Sequence, residues 1–156
     1  MNNANLLTQL QQLCEILQPF QFGVGGSSLL WQLGLETAPN DIDIVCSEQD
    51  FAQITEVLSA RFLPQPIPAH PAYVSAHFNR FSRDGWPDID VMAGIAVKLG
   101  GNVTRWQFHT HRCHWQNGVC WMPPADWLQL YQLFNRPERV AQLRQYLVQL
   151  RLSSLN

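Results

Sequence analysis

Leu6, Leu7, Leu10, Leu13, Ile16 and Leu17 recur at helical spacing, which predicts an amphipathic helix over residues 3 to 18, ended by Pro19. Residues 20 to 24 are a short apolar run read as a strand, and Gly25-Gly26 turns it into a helix over residues 27 to 35. A strand is predicted over residues 41 to 46. Ser47, with Asp50 three residues later, forms a capping box for a helix that runs through Ala60 and buries Phe51, Ile54, Val57 and Leu58. Pro64, Pro66, Pro68 and Pro71 mark an extended connection. Residues 72 to 82 read as a strand, Asp84-Gly85 as a turn and residues 88 to 92 as another strand. Asn117-Gly118 centres a hairpin across residues 103 to 122. Pro124 opens a helix to Phe134, and Pro137 opens a last one carrying Val140, Leu143, Leu147 and Leu150. The expected fold is one α/β (α+β) domain over residues 1 to 156. Its core spans 20 to 122 as a mixed sheet flanked by helices, with C-terminal helices over 124 to 152.

Apolar residues make up 46% of the 156, which excludes a disordered chain and allows a normal core. Charged residues are only 14% and there are six Trp, a composition that points to self-association. The net charge of −2 argues against non-specific nucleic-acid binding, leaving nucleic acid a place only as an acceptor. No basic segment followed by an apolar block opens the chain. The uncharged stretch between Glu15 and Glu36 is broken by Gln18, Pro19, Gln21 and glycines, so no membrane span is expected. Four cysteines in a chain of this size fit reduced thiols, and a soluble cytoplasmic protein is the expectation. Cys14 and Cys46 sit among apolar residues and read as small buried hydrophobes.

The chemistry concentrates in two short patterns, Asp41-Ile42-Asp43-Ile44 and Asp88-Ile89-Asp90-Val91, which hold four of the seven aspartates. In a strand each pair of carboxylates shares one face, and like charges there repel. A divalent cation would relieve that repulsion. Upstream, Gly25-Gly26-Ser27 joins a strand to a helix, an arrangement that exposes backbone N–H groups to phosphate. It is not a Walker loop, since no lysine lies near it; Lys98 is the chain's sole lysine. The dinucleotide fingerprint is matched only in part, which leaves a nicotinamide-dependent oxidoreductase a distant third reading. Gly23-x-Gly25 is present and Asp43 lies twenty residues on, but Ser28 replaces the third glycine and the aspartates enter their strand rather than end it.

Gly25-Gly26-Ser27, a helix, Asp41-Ile42-Asp43-Ile44 and a later Asp on a neighbouring strand resemble the DNA polymerase β-like nucleotidyltransferase superfamily. The match is to its small single-domain members, which include antibiotic nucleotidyltransferases and the toxins of some toxin–antitoxin pairs. It covers residues 20 to 46 and 88 to 92 and extends over 118 to 147. The resemblance implies transfer of a nucleoside monophosphate, AMP first among them, from an NTP to a hydroxyl of a small-molecule or macromolecular acceptor. By that analogy Asp41 and Asp43 hold the Mg²⁺ (or Mn²⁺) of the triphosphate, and Asp90 holds a second ion and orients or deprotonates the acceptor. Gly25, Gly26 and Ser27 form the nucleotide-binding turn. Asp90 is preferred to Asp88 because Pro87 places Asp88 at the strand's mouth.

The chain departs from the toxin-type pattern at the C-terminal helices. There Tyr131 and Glu138-Arg139 stand where relatives carry a lysine and a Lys-Asp pair. The rival expectation is therefore a catalytically retired relative serving as a binding or assembly module, as in a two-component toxin–antitoxin pair. Other constellations compete. His109, His111 and Cys113 would alternate on one strand face, with Cys120 approaching across the hairpin, but their spacing matches no zinc-finger pattern. Arg136 could bind a phosphate or an acidic acceptor, while Arg139, Arg144 and Arg151 read as a solvated helix face. Trp106, Trp115, Trp121 and Trp127 cluster around the hairpin without an assigned role.

Overall fold

β2 (Asp41–Cys46) is the sheet's central strand because Ile42, Ile44, Val45 and Cys46 are apolar enough to be buried against neighbours on both edges. The computed structural model describes residues 3 to 67 and 69 to 155, so Pro68 of the expected proline connection lies outside the described residues. β1 (Phe22–Gly25) runs antiparallel to β2, and β5 (Asp88–Ala93) runs parallel to it on the other side. β4 (His77–Ser82) and then the short edge strand β3 (Leu63–Gln65) extend that wing antiparallel. β9 (Val119–Trp121) lies parallel to β1 and carries β8 (His114–Gln116), giving the order β3-β4-β5-β2-β1-β9-β8.

Helices cover this sheet. α1 (Asn3–Leu17) buries Leu6, Leu10, Leu13 and Leu17, the stripe its periodicity predicts. Its Gln9 and Gln11 amides donate to the Gly85 and Asn117 carbonyls (2.7 and 2.8 Å), so it reaches turns on both wings of the sheet. α2 (Gly26–Gln32) follows β1 directly. α3 (Glu48–Ser59) buries Phe51, Ile54 and Leu58, while Val57 is half-buried. Only half of the predicted capping box forms. Ser47 Oγ accepts from the Asp50 N–H (3.2 Å), but the Asp50 carboxylate accepts from the Gln21 N–H (2.8 Å) and so ties α3 to the approach of β1. α4 (Pro124–Leu133) and α5 (Pro137–Ser153) pack on each other, and no helix of the described residues is long and apolar enough to cross a membrane.

Four expectations change. The strand expected over 72 to 82 begins only at His77; before it, Tyr73 makes an isolated bridge to Val97. Part of the proline connection is β3, which tolerates Pro64 because an edge strand can spare an N–H. The hairpin around Asn117-Gly118 is shorter than expected, since residues 102 to 105 belong elsewhere. β7 (Asn102–Arg105) pairs with β6 (Ala96–Leu99) across Gly100-Gly101, both at positive φ, to form a separate two-stranded sheet. The α5 arginines are not uniformly solvated either: Arg139 holds Glu36 at 2.9 Å and anchors α5 to the connection before β2.

Ile44→Ala should lower stability by about 2–5 kcal/mol, read from urea unfolding at constant m-value. A change within error would mean that this side chain is not packed at the centre of the core.

Candidate active site

The site starts from backbone constraints at the end of β1. Gly25 lies flat against the Trp127 indole of α4, and any Cβ there would overlap that ring. Gly26 has φ +60°, and its Cβ would strike the Asp43 carboxylate. The glycine pair therefore lets the chain turn into α2 directly over β2. Ser27 and Ser28 hydroxyls both donate to the Asp41 carbonyl (3.2 and 3.3 Å), which fixes α2 to the first residue of β2.

Register gathers the carboxylates. β2 and β5 are parallel neighbours with Asp41 opposite Asp88 and Asp43 opposite Asp90, so the two sequence pairs form one acidic face. Asp41, Asp43 and Asp90 line a cleft of about 440 Å³. Asp90 is buried, whereas Asp88 is half-buried at the strand's start and does not line the cleft. Burial, then the charges of Asp90 and Asp41, push the Asp43 carboxyl up to about 8. Burial and Asp90 also raise Asp41.

Arg80 is the residue that sequence reasoning missed. It sits on β4 directly opposite Asp90, and its guanidinium makes a two-pronged pair, Nε–Oδ1 2.7 Å and Nη2–Oδ2 3.0 Å. The signal was present in the turn at Asp84-Gly85, because a tight hairpin centred on Gly85 brings Arg80 and Asp90, equally distant from it, face to face. The bond to Asp90 raises the arginine's already high pKa further, so it stays charged.

The rest of the cleft is aromatic. Tyr73 stacks on His70 (centroids 4.1 Å) and meets Phe134 edge-on (5.5 Å), so the connection before β4 and the end of α4 close over the acidic floor. Phe78, Trp127 and Tyr131 complete the wall. Burial, then the nearby Asp43 charge, push the Tyr131 hydroxyl up to about 12, so it is a neutral hydroxyl here. Arg136 stands at the rim, where its positive charge eases ionisation of Asp43. Its guanidinium makes no ion pair among the described residues.

Hard carboxylate oxygens suit Mg²⁺ or Mn²⁺, which commonly bind through one or two carboxylates plus ligand phosphates and water. Asp41 and Asp43 fit that description. Both Asp90 oxygens are engaged by Arg80, and no three His, Cys, Asp or Glu side chains among the described residues are arranged to hold a metal ion. That also removes zinc at the hairpin. Thr110–Arg112 is a 3₁₀ turn, so His109, His111 and Cys113 do not alternate along a strand. The Cys120 thiol donates instead to the Phe22 carbonyl (3.5 Å). Cys14 and Cys46 are buried, and burial pushes both thiols up to about 12.

No protein-family model matches the chain, and no curated protein matches it. A solved structure does. A Thermotoga maritima protein provisionally identified as a nucleotidyltransferase superposes with a TM-score of 0.71, covering 96% of each chain at 20% identity. The chain has a nucleotidyltransferase-like fold. At that identity the likeness extends to the frame, and the chemistry has to be argued from the cleft.

Asp43→Asn keeps the shape of the side chain but removes a carboxyl that, set between Asp41 and Asp90, must hold a proton near neutral pH which the unfolded chain would release. In divalent-free buffer near neutral pH the variant should melt at a higher temperature than wild type. An equal or lower melting temperature would show that the three carboxylates do not strain the folded state.

Proposed function

We propose that this protein transfers a nucleoside monophosphate from an NTP, ATP being the first candidate, to a hydroxyl of an acceptor. What carries the reading is one observation: Asp41, Asp43 and Asp90 are set in register on adjacent parallel strands, in one cleft, beside the Gly25-Gly26-Ser27 turn. Carboxylates at such separations oppose one another, so the arrangement is hard to account for as a device for stability.

Asp41 and Asp43 would hold the Mg²⁺ (or Mn²⁺) that accompanies the triphosphate. When bound, the ion would supply positive charge to the phosphates and polarise the α-phosphoryl group. The chain's own part is positioning. The glycine turn packs Gly26 directly against Asp43, although Gly25, Gly26 and Ser27 do not themselves line the cleft, and Arg136 offers a guanidinium at the rim to the pyrophosphate portion. Asp90 faces the same cleft. A carboxylate has about four lone-pair sites and the Arg80 fork uses two, so Asp90 can still accept the acceptor's hydroxyl proton. As that proton moves, the acceptor oxygen bonds to the α-phosphorus and the bridging bond to pyrophosphate breaks. The aromatic wall of Tyr73, Phe78 and Phe134 is suited to stack a base or a ringed acceptor.

One observation favours a rival. The Arg80–Asp90 pair, together with an Arg139 committed to Glu36, is also what a retired catalytic fold kept for binding or assembly would show.

Calorimetric titration with ATP, GTP, CTP and UTP separates the two. Magnesium-dependent binding of at least one nucleotide, lost in Asp41→Asn/Asp43→Asn, is expected, and Asp43→Asn should lower turnover at least on the order of 100-fold. Binding of none of the four would favour the retired fold. Arg136→Gln should weaken ATP binding by roughly tenfold, the value of one charge-assisted hydrogen bond, and leave AMP nearly unaffected. Equal losses for ATP and AMP would remove Arg136 from the pyrophosphate end.

A further inference from the structure

Asp90 has no oxygen left that is free of a cation. Each of its oxygens accepts from one prong of the Arg80 fork, and the pair is set by the backbone, since residues 80 and 90 are direct partners across β4 and β5. Asp90 is only 8% exposed and Arg80 29%. A buried carboxylate that loses its partner keeps the cost of desolvation without compensation, so the pair resists being opened. Moving Arg80 away is further opposed by Asp41 and Asp88, whose charges also favour the guanidinium in place.

We infer that Arg80 occupies the place of a second divalent cation, so that the chain works with one ion, held by Asp41 and Asp43. The inference rests on reading the cleft as a nucleotidyl-transfer site. A second ion bound to Asp90 would need an oxygen at about 2.0–2.1 Å, within reach of an arginine that cannot give up its proton. The fork also does part of what the missing ion would do. It fixes the orientation of the Asp90 carboxylate, and the lone pair left on each oxygen, which the adjacent guanidinium charge guards against a second dication, can still take the acceptor's proton while the new oxygen–phosphorus bond forms and pyrophosphate leaves. Arg80 is thus a positioning residue that acts through Asp90.

Manganese counting tests this on the whole chain, with electron paramagnetic resonance reading tightly bound Mn²⁺ in the presence of a non-hydrolysable ATP analogue. Wild type should hold one Mn²⁺ per chain. Asp90→Asn, which preserves shape, should keep that ion with affinity changed by less than tenfold, while Asp43→Asn should lose it. Arg80→Gln should gain a second ion, because it frees both Asp90 oxygens. Two ions on wild type would overturn the one-ion inference and leave the nucleotide site intact. Loss of the ion in Asp90→Asn, or a single ion in a folded Arg80→Gln, would overturn it as well. No Mn²⁺ on wild type would overturn the metal site itself. Should Arg80→Gln fail to fold, the wild-type and Asp90→Asn counts decide.

Discussion

The pairing of β2 with β5 is the constraint on which the site depends. Parallel neighbours in register place equivalent positions side by side, so Asp41, Asp43, Asp88 and Asp90 form a block of four carboxylates on one sheet face. Slipping β2 by a single residue would bury Asp41 and Asp43 and expose Ile42 and Ile44, and slipping β5 would do the same to Asp88 and Asp90 and to Ile89 and Val91. Those four side chains have 0% exposure, and the register is held by what it would cost to lose their burial. The opposite face carries the electrostatic strain. The apolar side of each strand stabilises an arrangement that its acidic side opposes.

Around that pairing the fold supplies partial relief. Arg80 answers Asp90 from β4, and Arg136 approaches from the start of α5 without closing on a carboxylate. Among the described residues Asp43 has no such partner, and its carboxyl is the one pushed farthest toward the neutral form. A carboxyl without a cationic partner, beside a conformationally restricted glycine and inside a cleft, is a candidate functional group. The ranking of the three aspartates by partner is therefore informative: Asp90 is satisfied, Asp41 and Asp43 are not.

Most of the frame was legible because its signals are local. The Leu stripe of α1, the alternation of β2 and β5, Pro124 and Pro137 at the openings of α4 and α5, and Asn117-Gly118 at the hairpin turn each specify an element within a few residues. The acidic face was legible for the same reason. Strand alternation places Asp41 with Asp43 and Asp88 with Asp90, and the resemblance of the motif joined the two pairs. What the sequence hid is what depends on distant partners. β3 exists only because β4 offers it an edge. The β6–β7 hairpin rests on Gly100-Gly101, whose turn signal was overshadowed by the stronger one at Asn117-Gly118. His70 and Phe134 meet around Tyr73 from segments far apart in the chain, so no periodicity could announce the aromatic wall.

Arg80 falls between these cases, and its position changes the meaning of the motif. Two Asp-apolar-Asp pairs, read as strings, imply three or four equivalent ligands. Placed in the sheet they are not equivalent, because the neighbour across each strand differs. Asp43 looks across β2 to Gly25, which has no side chain, while Asp90 looks across β5 to an arginine. One carboxylate is left open toward the cleft and the other is neutralised by the protein. A short motif states which residue types are present; the strand on its far side determines which of them meets a partner of opposite charge within the fold.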